Sequence, residues 1–312
     1  MKYTLRKIVS FIITLFIVSL IAFFAFQLIP GDAASTMLGT SATPERLEAL
    51  REQMGLNDPL LIQYLNWLKN FIIGNFGTSY VYNEPVSSLI VDKFPVTLSL
   101  ALLSMVVMVI VSIPLGILAS KHAGKLLDSI LQIVSQFTMA IPSFFLGIIM
   151  TYVFGLILKW FTPGGYVSYT DSKIGFIGYL ICPALAIGLP KAAMVFKLLR
   201  GSMGEEMNKE YVRTTFSRGN TLNGAFYGHI LRNAMIPVIT FLAMAFADMI
   251  AGSFIVEQVF GIPGIGKILV TSISNRDYPV VQGIIMLIAL IILLANLIAD
   301  LLYRVVDPRI GE

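Results

Sequence analysis

The chain of 312 residues carries 22 Lys and Arg against 18 Asp and Glu, a net charge of +4, and is 56% hydrophobic but only 13% charged, with a mean hydropathy of +0.82. Length alone admits two average soluble domains, but this hydropathy and several runs near twenty apolar residues exclude them in favour of a polytopic membrane protein. The lone Cys182 excludes a disulfide framework, His122 and His229 cannot build a metal site without other ligands, and the small basic excess follows membrane topology rather than nucleic acid.

The first element follows a short basic start, Met1-Lys-Tyr-Thr-Leu-Arg-Lys, and is apolar over residues 9 to 29. It is longer than the apolar part of a signal peptide and ends in Leu28-Ile-Pro-Gly-Asp rather than a small-x-small cleavage site, so it reads as a first transmembrane helix. Residues 30 to 94 are the longest polar excursion and read as folded. Thr43 can cap a helix with Pro44 at its first position, Gly55 just past its end and Leu47, Leu50 and Met54 on one face. Asp58-Pro59 starts another helix, presenting Tyr64, Trp67, Leu68 and Phe71.

Second and third spans are expected at 96 to 119 and 130 to 158, kinked by Pro114 and Pro142 and joined by a turn carrying Lys121, His122 and Lys125. A polar loop from Thr162 to Lys173 precedes a fourth span, Gly175 to Leu199, with Lys191 close to its end. The stretch from Met203 to Pro237 then concentrates Glu205, Glu206, Lys209, Glu210, Arg213, Arg218 and Arg232. Two helical patterns meet there at Gly219-Asn220, where a left-handed residue can end one helix and Thr221 can cap the next. A fifth span, 235 to 256, holds Asp248; residues 257 to 280 are turn-rich; a sixth, 281 to 303, holds Asn296 and Asp300, the latter one turn before Arg304.

Lys and Arg counted over short flanks set the orientation. Lys2, Arg6, Lys7, Lys121, Lys125, Lys197, Arg200, Lys209, Arg213, Arg218, Arg232, Arg304 and Arg309 fall on one side, and outside the long first loop only Lys159, Lys173, Lys267 and Arg276 fall on the other. Both termini are therefore expected in the cytoplasm, with residues 30 to 94 outside and 200 to 232 inside.

The string Glu210-Tyr-Val-Arg-Thr, then Gly219, then His229-Ile-Leu-Arg-Asn-Ala-Met-Ile-Pro237 resembles the coupling loop of permeases in the dipeptide/oligopeptide/nickel branch of ABC importers. Leu28-Ile-Pro-Gly-Asp, Phe76-Gly-Thr-Ser-Tyr, Phe94-Pro-Val-Thr-Leu, Ile141-Pro-Ser-Phe-Phe-Leu-Gly, Glu257-Gln-Val-Phe-Gly-Ile-Pro-Gly-Ile-Gly, Asn275-Arg-Asp-Tyr-Pro and Asp307-Pro-Arg-Ile extend the likeness over nearly the whole chain. Ala33 departs from it, standing where a second proline is frequent.

The resemblance implies an all-α membrane protein of the type I ABC importer permease fold, a single six-helix domain over residues 1 to 312. It implies a second homologous permease, two ATPase subunits that bind ATP and Mg, and an external solute-binding lipoprotein, in a bacterial plasma membrane. Glu210, Tyr211, Val212, Arg213, Thr214, Arg218, Gly219, His229 and Arg232 are the residues it assigns to ATPase docking. Cargo would be di- or oligopeptides, with nickel or a metal chelate as the alternative.

No phosphate loop, nucleophile elbow or metal-spaced histidine pattern is found, so the chain is expected to be a transport subunit with no cofactor of its own. The rival class, an ion-coupled secondary transporter, would need internal repeats or clustered carboxylates, and neither is found. Pathway candidates are Asp248, Lys191 and Asn296. Asp248 can meet a cationic or polar part of the cargo, be a carboxylate held by neighbouring helices, or be kept protonated; Lys191 can line the pathway or snorkel to the interface.

Overall fold

A computed structural model describes residues 2–27, 34–35, 43–53 and 55–306. The predicted Leu28-Ile-Pro-Gly-Asp turn, Met54 and the terminal Asp307-Pro-Arg-Ile lie outside the described residues, as do the side chains of Leu50 and Arg304. Apart from one isolated bridge between Thr78 and Pro85, the described regular structure is helical. In order the helices are α1 (Lys2–Gln27), α2 (Pro44–Gln53), α3 (Leu60–Ile72), α4 (Val86–Lys121), α5 (Leu126–Ala140), α6 (Ser143–Met150, extended by a π-helical turn Thr151–Ile157), α7 (Lys173–Met207), α8 (Glu210–Ser217), α9 (Leu222–Ala225, joined by a π-helical turn Phe226–Ile230 to the next), α10 (Leu231–Phe260), α11 (Ile265–Ser274) and α12 (Tyr278–Val306).

Among the described residues five helices are long and apolar enough to cross a membrane, and six segments are if α5 and α6, bent by 97° at their junction, count as one. The segment expected as a third span is therefore bent sharply at residues 141–142 rather than gently kinked. Ile141 is extended, as a residue before proline prefers to be, and Pro142 starts the next helix from an extended conformation. The helices also outrun the apolar runs that revealed them. α4 begins at Val86, inside the stretch expected as loop, and its 36 residues span about 54 Å. α7 continues to Met207, and the region expected to be turn-rich after residue 257 contains α11.

The chain forms two compact units, residues 1–97 with 263–293 and residues 98–262 with 294–312. In the first, α1 packs on α3 through a buried hydrogen bond between Ser19 Oγ and Tyr64 Oη, 2.8 Å, surrounded by the rings of Phe23, Phe24 and Trp67. α2 has the predicted ends: Thr43 Oγ1 accepts from Arg46 N–H at 3.4 Å, and Gly55, at φ +65°, closes the helix with Gly55 N–H on Glu52 O and Leu56 N–H on Arg51 O. Buried Asp277 accepts from Ser79 Oγ and from the backbone N–H groups of Tyr80 (3.0 Å) and Val81 (3.3 Å), clamping that turn. Thr97 Oγ1 accepts from Ile265 N–H at 2.9 Å, satisfying an orphan donor at the start of α11. Leu60, Leu61, Ile62, Leu65 and Ile72 leave the outer face of α3 apolar and exposed.

The second unit is built on α7, whose most apolar stretch is 67% buried. Small residues let its neighbours close in: a Cβ on Gly188 would stand 2.8 Å from Ser104 O of α4, and one on Gly147 of α6 would stand 3.1 Å from a ring carbon of Phe260. Tyr179 donates to the carbonyl of Phe260 and accepts from Gly164 N–H, tying α7 to the end of α10 and to the loop before α7.

Candidate coupling surface and transmembrane ion pair

The charged stretch after α7 has the geometry its local sequence encodes. α8 ends at Gly219, φ +82°, with Gly219 N–H on Phe216 O (2.9 Å) and Asn220 N–H on Thr215 O (3.3 Å), the hydrogen-bond pair of a left-handed helix stop. Thr221 Oγ1 then accepts from Gly224 N–H at 3.2 Å and caps the following turn. The second helix is not separate, because α9 passes through the π-helical turn into α10, and His229, expected in a loop, lies in that turn.

The predicted docking residues divide by burial. Val212 is buried with Thr215 and fixes one face of α8; Tyr211 is half-buried; Glu210, Arg213, Thr214, Arg218, Gly219, His229 and Arg232 are exposed. Phe216, which the motif did not single out, is 41% exposed on the same short helix. Glu210 and Arg213 approach only to 3.8 Å, with both side chains in solvent, an interaction of little energetic weight.

Beneath them Glu206 forms a hub. It accepts from Lys209 Nζ and, at 2.6 Å, from Tyr211 Oη, and Asn233 of α10 lies within hydrogen-bonding reach of Glu206 and Tyr211. Burial, then the bond to the Glu206 carboxylate, pushes the Tyr211 phenol up to about 12, so it stays a donor at any working pH. Lys121 at the end of α4 lies over the rings of Tyr227 and Phe226, 4.4 and 5.5 Å from their centroids. The ends of α4, α7 and α10 are thus all tied to the exposed segment. Asn233 and Lys121 were missed as members because their roles need partners far along the chain, and Glu206 because its local partners Lys209 and Tyr211 gave no sign of its link to Asn233.

Higher in the same unit, Lys191 and Asp248 form an ion pair, Nζ to Oδ2 2.9 Å, between α7 and α10. With α7 running to Met207, Lys191 lies in mid-helix, and it meets a carboxylate of α10. Asn296 is half-buried on α12 and takes no part in the pair. A further ion pair was not foreseen. Arg200 donates from Nε (3.2 Å) and Nη2 (2.7 Å) to the two oxygens of Asp128, which also accepts from Gly124 N–H and Gln132 Nε2. Among the described residues no three His, Cys, Asp or Glu side chains group as metal ligands.

Long apolar helices, a charged helical hairpin between two of them and an ion pair in mid-helix define a multi-pass membrane protein. Residues 112–312 match the family described as "Binding-protein-dependent transport system inner membrane component", and residues 1–101 match the family described as its N-terminal membrane component. The chain belongs to this family of inner-membrane components of bacterial transport systems. It is 37% identical over 311 residues to the "Oligopeptide transport system permease protein AppB" of Bacillus subtilis, covering 99% of this chain and 98% of that one. It is 35% identical over 308 residues to the "Probable peptide ABC transporter permease protein y4tP" of Sinorhizobium fredii, covering 99% and 98%. It is 34% identical over 310 residues to the "Glutathione transport system permease protein GsiC" of Escherichia coli K12, covering 99% of each.

Proposed function

We propose that this chain is the membrane-spanning permease subunit of an ATP-driven peptide importer, supplying half of a translocation pathway and no catalytic group. The observation that carries the reading is end-to-end similarity to permeases named for oligopeptides, peptides and glutathione, all molecules built of amino acids joined by amide bonds. The α8 segment supports the mechanical part. A short helix with exposed Glu210, Arg213, Thr214, Phe216 and Arg218, braced below by the Glu206 hub, presents a stiff, charged knob to an ATPase subunit.

In this reading ATP and Mg are held by two ATPase partners, the other half of the pathway comes from a homologous permease, and an external binding protein delivers the cargo. Both termini and residues 200–232 face the cytoplasm, and residues 30–94 face outward. The outward part of the first unit carries a cleft of about 830 Å³ whose lining includes Asn66, Asn70, Trp67, Phe76, Tyr278 and Gln282. Closure of the ATPases on ATP moves α8, and the Glu206 hub passes that motion to α7 and α10, where Lys191 and Asp248 face the pathway.

Reconstitution of the chain with these partners in proteoliposomes should give accumulation of labelled Ala-Ala that needs both ATP and the binding protein. Uptake driven by a proton or sodium gradient without ATP would overturn the reading in favour of a secondary transporter, and uptake of a nickel chelate with no peptide uptake would overturn the cargo.

A further inference from the structure

The Lys191–Asp248 pair is built unlike a structural salt bridge. The Asp248 side chain is 65% exposed and that of Lys191 is 24% exposed, so the pair opens to one side. The helices do not depend on it for contact, because small buried residues flank it on each, Ala192 and Ala193 on α7 and Ala245 and Ala247 on α10. The exposed side of α10 continues through Met244 and Gly252, each four residues from Asp248, and a Cβ on Gly252 would meet nothing within 4 Å. A carboxylate this exposed in mid-span cannot face acyl chains without a cost of several kcal/mol, so it faces an aqueous or protein-lined space.

We propose that Lys191 and Asp248 form an exchangeable zwitterion site, in which the α-ammonium of a passing peptide replaces Lys191 on Asp248 while its α-carboxylate takes up the freed Lys191. The pair has no net charge. A lone cation can satisfy Asp248 only by stranding the Lys191 ammonium, which is 24% exposed and poorly solvated, and a lone anion can satisfy Lys191 only by leaving Asp248 without its partner. A molecule bearing both charges satisfies both partners at once. The separation suits short peptides: an extended dipeptide sets its terminal charges about 7 Å apart, within the swing of the flexible four-carbon lysine stem. No bond is made or broken; two ion pairs replace one.

This inference rests on the peptide reading above, and its test separates the two. Uptake of Ala-Ala, N-acetyl-Ala-Ala and Ala-Ala-amide is measured in the assembled importer with wild-type, Lys191→Met and Asp248→Asn permeases. The affinity of the binding protein for each peptide is measured separately, and because the binding protein is common to all permeases its preference cancels in the ratio of ratios. Amidation should cost wild type about tenfold more than it costs Lys191→Met, and acetylation about tenfold more than it costs Asp248→Asn, the size expected for one charge-assisted contact. Equal penalties within twofold overturn the exchange site. If the single variants fail to assemble, the reversed pair Lys191→Asp/Asp248→Lys retains both charges and must still discriminate both blocked peptides beyond the binding protein's own preference; loss of that discrimination, with Ala-Ala uptake kept, overturns it too. Absence of Ala-Ala uptake by wild type overturns the peptide reading instead.

Discussion

Replacing Asp128 by asparagine removes one negative charge from a site that four donors share. Oδ1 accepts from Gln132 Nε2 and Arg200 Nε, and Oδ2 accepts from Gly124 N–H and Arg200 Nη2. Asparagine has a single acceptor oxygen, so in either amide orientation two of those donors meet an NH₂ group. The Asp128 side chain is 2% exposed, which leaves no water to take its place, while that of Arg200 is 31% exposed and partly recovers its solvation. Breaking a fully buried pair costs about 3–5 kcal/mol; the exposure of Arg200 brings this to about 2–4 kcal/mol. For a chain of this size that is a fall in melting temperature of about 3–6 °C. The assay is thermal unfolding of the purified complex in nanodiscs. Arg200→Lys, which keeps the charge and loses the fork, should fall between wild type and Asp128→Asn. A melting temperature within 2 °C of wild type for Asp128→Asn would refute the reasoning.

Three further outcomes follow from the geometry. Gly188→Ala should cost about 1–3 kcal/mol by forcing a Cβ to 2.8 Å from Ser104 O, whereas Gly178→Ala on the same helix, with nothing within 4 Å of its Cβ, should leave the melting temperature unchanged or raised; equal effects contradict the packing described. Gly219→Val should uncouple ATP hydrolysis from uptake while Gly219→Asn, which tolerates a left-handed backbone, should not, the strain being about 1–2 kcal/mol; full coupling in the valine variant removes α8 from the mechanism. Asp277→Ala strips the acceptor from Ser79, Tyr80 and Val81 and should speed protease nicking in that turn, with unchanged nicking as the contrary result.

What the sequence revealed and what it hid follow the range of the forces involved. The stops at Gly55 and Gly219 and the caps at Thr43 and Thr221 are decided within a few residues, so composition and spacing were enough. Hydropathy found the apolar centres of α4 and α7 but not their polar ends at Val86 and Met207, because a helix that leaves the bilayer continues on polar residues with no apolar signal. Prolines misled for a related reason. Pro183 and Pro190 are carried inside α7 and Pro237 inside α10, yet Pro142 breaks the chain by 97°. Gly147 of the redirected α6 is set against Phe260, Val259 and Ala186, a packing that the sequence around Pro142 does not announce.

The polar partners were the least legible part of the candidate site. Lys191 and Asp248 were both singled out as costly in a membrane, but their pairing joins residues 57 apart, and a burial argument made for each alone could not find it. Arg200 and Asp128 are separated by 72 residues, and Ser79 and Asp277 by 198. By contrast the exposed α8 residues expected to dock came from the motif itself, and the structure added what holds them in place: Val212 and Thr215 buried beneath, and Glu206, Tyr211 and Asn233 joined across three helices.

The claim on which the account turns is that α8 is the surface that meets an ATPase. A photo-crosslinking phenylalanine analogue placed at Phe216, 41% exposed on α8, tests it in the assembled importer, with the same group at Ile174, 86% exposed at the far end of α7, as the control. The account predicts an adduct of this chain with an ATPase subunit from position 216, changing in yield when ATP is trapped, and none from position 174. An adduct from position 174 alone, or none with an ATPase from either position in an importer that transports peptide, would contradict it.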